Sequence, residues 1–216
     1  MARQERALRT YESVLDSAAG EFARRGYAGA NLDRIAAGTG LTKGALYGHF
    51  SSKGELATEL SRQFEHGWHR LLSAAEDSPQ SPLCTLDALM LRLAQRTEHD
   101  VRFRAGMRLA VEEACVRDDL PAAHHRLATL VSRLVRDAQQ AGELCRRHSP
   151  ETLSTLTLAL LHGLRTGTGH TSAPPDRSRA LWEALSAPWR TRPRAGYCPA
   201  QPAQPAAHRA IAGAPG

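Results

Sequence analysis

A group of side chains suited to nucleic-acid binding lies between residues 42 and 53. It combines two lysines with a hydroxyl-bearing helix cap, a tyrosine, a histidine and two small residues: Thr42, Lys43, Gly44, Ala45, Tyr47, His49 and Lys53. A lysine can reach a phosphate or a guanine edge, hydroxyl and imidazole groups can hold phosphates, and small residues let a helix seat deeply in a groove. Helix capping or a solvated lysine explains any one of them equally well. Seven within twelve positions favour DNA binding.

Two short helices joined by a tight turn are predicted over residues 31–50 to position this group. The first helix is capped by Asn31 and has three apolar residues at helical spacing: Leu32, Ile35 and Ala36. Gly38 and Gly40 allow the sharp turn that follows. The second helix, predicted over about 43–49, faces the interior with three residues: Ala45, Leu46 and Phe50. This is the helix-turn-helix pattern, whose second helix lies in the DNA major groove.

The charge of the chain is distributed in a way that agrees with this interpretation. The net charge is +6, made up of +3 in residues 1–54, −1 in residues 55–189 and +4 in residues 190–216. Both lysines of the chain, Lys43 and Lys53, lie in the group described above. A basic head before a near-neutral body suits a regulator that binds nucleic acid, although mild basicity alone would also aid solubility.

The remaining periodicity predicts an all-α protein. Aromatic residues make up only 5% of the chain, and alternating β-branched runs are nearly absent. Further helices are predicted over about 7–25, from 53 to a break at 77–82, and over 83–99, 101–116, 122–141, 150–164 and 176–189. The helix over 150–164 is apolar nearly all round, so we expect another subunit to cover its second face.

Catalytic and metal-binding patterns are absent from the sequence. It contains no GxSxG elbow, no phosphate-binding loop and no dinucleotide-binding glycine motif. His66 and His69 have a metal-like spacing, but no third ligand can be assigned. The adjacent His124 and His125 are expected to point to different sides of a helix. The chain is therefore predicted not to be an enzyme and to need no metal or cofactor.

Features of secreted or membrane proteins are also lacking. The four cysteines form no CxxC pair, and reduced thiols are expected. No apolar run is long enough to cross a bilayer, and the start MARQERALRT lacks the apolar segment of a signal peptide. We expect a cytoplasmic protein without membrane contact.

Residues 7–68 resemble the DNA-binding domain of the TetR family of bacterial repressors. The resemblance rests on RGYAGANLDRIAAGTGLTKGALYGHFSSKGEL, and above all on its core TKGALYxHFxSKxEL. The start of the chain, that core and the segment RAGMRLA at 104–110 are similar to a narrower group, the γ-butyrolactone autoregulator receptors, which govern antibiotic production and morphological differentiation in actinobacteria. The resemblance implies an all-α homodimer whose interface is formed by helices 150–164 and 176–189. It also implies operator contacts from six residues: Thr42, Lys43, Gly44, Tyr47, His49 and Lys53.

One position departs from the narrower group. Its members carry a pocket tryptophan shortly after a Leu-Pro pair, and counting from Leu120 and Pro121 that position holds Leu127. The chain therefore resembles a pseudo-receptor, which senses a γ-butyrolactone-like signal, an antibiotic or no ligand. Residues predicted to line a ligand pocket are Trp68, Met90, Met107, Val111, Leu127, Leu130 and Leu134. Packing in an ordinary core is the simpler explanation for most of these.

Together these inferences divide the chain into three parts. Residues 7–67 are predicted to form the DNA-binding domain, 68–190 a ligand-sensing and dimerisation domain, and 191–216 a disordered basic tail. The predicted function is a dimeric repressor of antibiotic biosynthesis genes that a small effector molecule releases from operator DNA. Two alternatives remain open: a DNA-binding regulator without a ligand, and a helical small-molecule-binding protein or enzyme.

Overall fold

A computed structural model describes the backbone of residues 2–117, 122–166 and 177–191. Side chains are described for the same residues except 2, 3, 43, 114–117, 122, 123 and 164–166. Within these ranges the chain is helical apart from turns and one isolated bridge between Leu144 and Arg190. The predicted all-α class is thereby confirmed.

The described helices follow the predicted order, with bounds that differ by a few residues. They are α1 (Ala2–Gly29), α2 (Leu32–Thr39), α3 (Lys43–Tyr47), α4 (Lys53–Glu76), α5 (Pro82–His99), α6 (Val101–Arg117), α7 (Ala122–Gln140), α8 (Pro150–Thr166) and α9 (Arg177–Ser186), followed by a short 3-10 helix (Ala187–Trp189). Six of them begin at side-chain caps that accept a bond from a backbone N–H of the first turn: Asn31, Thr42, Ser52, Ser81, Asp100 and Ser149.

The first helix is interrupted at the glycine where the sequence predicts its end. Gly26 has a non-helical backbone, with φ 69° and ψ −175°, and a short further helical stretch after this kink completes α1 at Gly29. Such a positive φ favours glycine, because a Cβ would be strained.

Two hydrophobic cores share helices α4 and α6. The head core comprises Val14, Leu15, Ala18, Ala19, Phe22, Ala30, Ile35, Ala36, Leu46, Phe50, Leu56, Ala57, Leu60, Ala105 and Leu109. The body core begins one turn further along α4, at Phe64, and includes Phe103 and Met107 of α6. The two cores therefore meet where α4 crosses α6, and these helices connect the head mechanically to the body.

A buried polar cluster attaches the end of the described chain to the body. The Trp182 indole N–H donates to Asp87 Oδ1 at 2.8 Å, and Arg190 Nη2 donates to the same oxygen at 2.6 Å. Thr191, which the sequence assigns to the tail, donates its backbone N–H to the carbonyl of Glu143 at 3.1 Å. The rest of the predicted tail, residues 192–216, lies outside the described residues.

Within the part of the chain that the structure describes, helix α8 is covered on one face only. Leu153 and Thr157 are fully buried, whereas Leu156 is 42% exposed, and Leu181 of α9 is 38% exposed. Exposed leucines on α8 and α9 leave an apolar surface available, as expected if a second subunit covers it. Among the described helices, none combines the length and the apolarity needed to span a bilayer.

The α4–α6 crossing leads to a prediction about Gly106. A Cβ at this position would collide with Phe64 Cβ and would lie 2.8 Å from the backbone oxygen of Leu60. Because that oxygen belongs to a rigid helix, Gly106→Ala should lower the free energy of unfolding by about 1–3 kcal/mol. Chemical denaturation measures the change.

The matched control is Gly20→Ala, since a Cβ on Gly20 would meet nothing within 4 Å. This variant should be neutral or more stable by up to about 1 kcal/mol, because alanine favours the helix. Equal behaviour of the two variants would show that the crossing is not tightly packed.

Candidate nucleic-acid interface and internal cavity

The helix-turn-helix is built by local hydrogen bonds. Asn31 Oδ1 accepts from Asp33 N at 2.7 Å, and Gly40 ends α2 at φ 69°. The backbone N–H of Leu41 donates to the Ala36 carbonyl at 3.2 Å, which closes the turn. Thr42 Oγ1 then accepts from Ala45 N at 3.2 Å and starts α3. Each of these bonds forms between residues close in sequence, which is why the motif is readable from sequence.

Helix α3 is anchored by few residues and presents the others to solvent. Leu46 is fully buried and Phe50, which follows the helix, is 2% exposed and stacks on Tyr11 at 4.9 Å between ring centroids. Ala45, predicted to face inward, is exposed, because five residues of helix turn only one narrow side towards the core. That part of the inward-face prediction is wrong.

The outward side of α3 is small and polar. Thr42, Gly44, Ala45 and Tyr47 are exposed, with Tyr47 at 45%, and His49 is half-buried. A Cβ on Gly44 would meet nothing within 4 Å, so internal packing does not require glycine there. The side chain of Lys43 lies outside the described part of the chain. The helix thus offers a flat surface with hydroxyl and imidazole groups at its edges.

Lys53 contacts the head in this structure instead of pointing away from it. Its Nζ donates to the carbonyl of Tyr27 at 2.8 Å and to that of Ala30 at 3.2 Å, and it lies 4.6 Å from the centroid of the Tyr27 ring. The ammonium group therefore holds the start of α4 against the end of α1. A phosphate contact by Lys53, which stays a prediction, would be made by a group already oriented by these bonds.

A buried carboxylate joins α1 to α2. Glu21, whose side chain is 4% exposed, accepts a bond from Arg34 Nε at 2.5 Å and lies 3.4 Å from Arg25 Nε. Burial raises the pKa of Glu21, but the hydrogen bond and charge of Arg34, supported by Arg25, outweigh it and hold the pKa below its ordinary value. Arg34 also donates to the Gly29 carbonyl at 2.9 Å, so the carboxylate orients the base of the motif.

Two residues of α6 grip α1 at its kink, and we call this pair the Arg108–Glu112 clamp. Arg108 Nη1 donates to the Ala23 carbonyl at 3.0 Å, and Glu112 Oε2 accepts from the backbone N–H of Tyr27 at 2.7 Å. The two side chains bond to each other at 2.9 Å. The clamp satisfies backbone groups that the kink at Gly26 removes from the helical ladder.

A cavity of about 460 Å³ lies in the body between α4, α5, α6, α7 and α8. Its walls are Trp68, Leu93, Thr97, Met107, His124, His125, Leu127, Ala128, Thr155, Leu158, Ala159, Leu161 and His162. The volume is in the range of small-molecule sites. Among the predicted pocket residues, the structure places Trp68, Met107 and Leu127 in these walls.

The other predicted pocket residues lie elsewhere. Met90, Leu130 and Leu134 belong to the buried body core, and Val111 is half-buried outside the cavity walls. The wall supplied by α8 and the presence of both His124 and His125 at the cavity were not predicted from the sequence. Leu158 and His162 are one helical turn apart and therefore lie on the same face of α8, and this spacing could have indicated the α8 wall.

Metal binding receives no support from the described residues. No three His, Cys, Asp or Glu side chains there lie together as ligands would. His69 Nδ1 lies 2.6 Å from Arg126 Nη1, and His66 is exposed. Cys84 and Cys145 are free thiols, while Cys115 and Cys198 fall outside the described side chains.

Comparison with known proteins links this geometry to transcriptional regulators. Residues 14–60 match the sequence profile described as bacterial regulatory proteins, tetR family. The A-factor receptor protein of Streptomyces griseus is 29% identical over 165 residues, which cover 76% of this chain and 57% of that protein. An HTH-type transcriptional repressor of Streptomyces coelicolor is 30% identical over 135 residues, covering 52% of this chain and 70% of the relative. The chain thus spans little more than half of the receptor.

A solved structure shows the same fold. The protein CprB from Streptomyces coelicolor, in complex with its biological operator sequence, superposes with a TM-score of 0.64 at 28% identity, covering 85% of this chain and 90% of that one.

The Glu21–Arg34 contact leads to a prediction about stability and pH. Because the folded-state pKa of Glu21 is lowered from 4.5, its stabilisation is complete above that value and is lost as the pH falls through the folded-state pKa. Glu21→Gln should lower the free energy of unfolding by about 1–2 kcal/mol at neutral pH, a figure reduced for the exposure of Arg34. Urea unfolding across the acid range measures this.

The difference between parent and variant should shrink towards acid pH. Glu5→Gln, at an exposed position on the same helix, is the control and should have little effect. A cost for Glu21→Gln that stays constant with pH would contradict the assigned role of the carboxylate.

Proposed function

The chain belongs to the TetR family of bacterial regulatory proteins, and from this premise we propose that it is a dimeric transcriptional repressor. It binds operator DNA through α3 and is released by a small molecule held in the cavity. Related proteins support repression, ligand sensing and operator binding: one relative is named a transcriptional repressor, another a receptor, and CprB was solved with its operator.

The exposed side of α3 is the observation that carries DNA binding. Among the described side chains of residues 42–50, Leu46 and Phe50 are the buried anchors of the helix, while Gly44 and Ala45 leave its outer surface flat. A helix with small side chains on its outer side can approach base edges closely in the major groove. Tyr47 and His49 would then flank it near the phosphate backbone. Thr42 lies at the exposed N-terminus of the helix. The backbone N–H groups there also attract phosphate and would add to these contacts.

Dimerisation would supply a second DNA-binding domain. The exposed leucines of α8 and α9, Leu156 and Leu181, form the apolar surface that a second copy would cover. A two-fold dimer would place two α3 helices in successive major grooves of a pseudo-palindromic operator. Charge contacts between the head and the DNA phosphates would make the operator affinity of the dimer fall with added salt.

The proposed release mechanism uses the two helices that both units share. Trp68 of α4 and Met107 of α6 line the cavity, and Met107 directly precedes Arg108 of the clamp. A ligand that pushes these helices apart would displace the Arg108–Glu112 clamp and, with it, α1. The spacing of the two α3 helices would then change. For useful induction the ligand must prefer the DNA-incompetent state by a few kcal/mol.

The genes under control are proposed from the narrower resemblance. γ-Butyrolactone autoregulator receptors govern antibiotic production, so we assign this chain to the control of antibiotic biosynthesis in the cytoplasm, where operator DNA is found. Leu127, which stands in place of the expected tryptophan, lines the cavity and changes its shape. The effector is therefore a γ-butyrolactone-like signal of altered shape or an antibiotic.

Gly44→Leu tests the assignment of α3. The substitution adds a side chain to open space, and leucine favours helix more than glycine does, so the protein should be as stable as the parent. Operator affinity should fall by about a hundredfold, because the side chain keeps the helix out of the groove. An operator selected from random duplexes and an electrophoretic mobility shift measure the change.

Ala74→Leu on α4 is the control, since Ala74 is exposed near the C-terminal end of that helix and is not among the cavity walls. A folded Gly44→Leu protein that binds operator as the parent does would refute the assignment. The double variant Lys43→Ala, Tyr47→Phe tests the flanking contacts in the same assay and should also lose affinity.

A double-mutant cycle tests the coupling without a known effector. Ala128→Trp fills part of the cavity and should weaken operator binding about tenfold by mimicking a ligand. Combined with Glu112→Gln, which loosens the clamp, the same tryptophan should have a smaller effect on operator affinity. The quantity measured is the coupling free energy between Ala128→Trp and Glu112→Gln, taken from their effects on operator affinity.

Arg62→Ala replaces Glu112→Gln in the control cycle. Its guanidinium pairs with Glu59 on the outside of α4, at 2.7 Å, and Arg62 is not among the cavity walls. The control changes should be additive. Additivity in the Glu112 cycle as well would show that the clamp does not transmit the signal.

A further inference from the structure

The cavity in the body opens on the outer side of α8. The wall residues that α4, α5 and α6 supply are all buried: Trp68, Leu93, Thr97 and Met107. The wall supplied by α8 differs, because Thr155 and Ala159 line the cavity and are also exposed on the surface of the chain. On α7, the wall residue His125 is exposed as well. The opening therefore lies between the outer sides of α7 and α8.

This opening is continuous with the apolar surface of α8 and α9. Ala159 follows Leu156 by three residues and Thr155 by four, and residues at these spacings are neighbours on the surface of a helix. Leu156 is not among the cavity walls and is 42% exposed, and Leu181 of α9 is 38% exposed. Ala159 thus belongs to two surfaces. It lines the cavity, and it borders a leucine that the proposed function assigns to the subunit interface.

A small molecule held by one subunit would keep part of its surface in water at this opening. Ligand sites in proteins bury about 70–90% of the surface of a small molecule. Among the described residues at the opening, Thr155 and Ala159 have side chains too short to extend over a ligand. Because the hydrophobic gain is proportional to the apolar area removed from water, an uncovered side limits the affinity for an apolar ligand.

We propose that the second subunit completes the effector site by covering the opening beside Ala159. In a two-fold dimer, each subunit closes the cavity of the other with the same α8–α9 surface. The inference rests on the proposed function, since it takes the cavity as the effector site and α8 and α9 as the subunit interface.

Closure by the second subunit couples effector binding to dimer association. By linkage, dimerisation tightens effector binding, and the effector tightens the dimer by the same factor. The effector would therefore release operator DNA from an intact dimer whose α3 helices are wrongly spaced, and not by separating the subunits.

N-Phenylnaphthylamine is a suitable probe, because it is apolar and uncharged and fluoresces more strongly in apolar surroundings. It is titrated into the full-length protein, and the fluorescence gives its dissociation constant. Ala128→Trp narrows the cavity, so the signal that this variant loses is the signal from the cavity. A parent dimer with no such signal would contradict a closed apolar site.

The decisive variant carries Leu156→Glu and Leu181→Glu, which place charges on the proposed interface outside the cavity walls. Sedimentation should show a monomer, and its cavity should bind the probe about tenfold more weakly, a typical size for coupling between two sites. The matched control is Leu8→Glu, the same change at a leucine of α1 that is 64% exposed. It should remain a dimer and bind the probe as the parent does.

A rescue experiment separates loss of the partner from a local effect of the substitutions. A protein with Leu156→Lys and Leu181→Lys is mixed with the glutamate variant, because opposite charges favour the mixed dimer. Probe affinity in the cavity should return towards that of the parent. A heterodimer that forms without regaining this affinity would overturn the inference.

Acrylamide quenching tests closure in the parent itself and decides the matter if the glutamate variant is unfolded by circular dichroism. The probe in the cavity of the parent dimer should be quenched much more slowly than the dye in solution. Equally fast quenching would show an open cavity and overturn the inference. A folded glutamate variant that stays a dimer, or a monomer with the affinity of the parent, would overturn it as well.

Operator binding distinguishes this inference from the proposed function. Parent protein that binds a selected operator, while its probe affinity is independent of assembly, refutes only the shared site. Probe affinity that depends on assembly in a protein without operator binding refutes only the repressor function.

Discussion

The close crossing of α4 and α6 at Gly106 is the constraint on which the rest of the structure depends. At this point the Leu60 carbonyl and the Phe64 side chain leave no room for a Cβ. On one side of the crossing the two helices complete the head core, and on the other they form part of the body core. Because the packing is tight, a shift of either helix in the body must be transmitted to the head.

The head depends on this arrangement for more than its core. The Arg108–Glu112 clamp and Lys53 bind the carbonyls and the N–H group exposed around the kink at Gly26. At the start of α6, Arg102 pairs with Glu12 at 2.6 Å and with Asp16 at 2.7 Å on α1. Lys53 of the head and the two arginines of α6 are thus occupied by internal bonds. These basic groups orient α1.

The body contributes a cavity whose walls come from the same shared helices. Trp68 and Met107 lie on α4 and α6, whereas His124, His125 and His162 lie on α7 and α8. Under the proposed function, a ligand in the cavity would therefore join helices that carry the head to helices near the exposed apolar surface of α8 and α9. It would act on the clamp and on the proposed subunit interface through packed helices that have few ways to move independently.

The sequence by itself determined the helix order, the caps at Asn31 and Thr42, and the turn at Gly40, because these features depend on bonds between residues within one or two helical turns. It also indicated the exposed group on α3, except for the direction of Ala45. Only the tertiary structure decided the internal bonds of Lys53, the clamp on α1 and the meeting of His124, His125 and His162 at one cavity. These depend on how distant helices rotate and pack against one another, and helical periodicity within a single segment does not specify that.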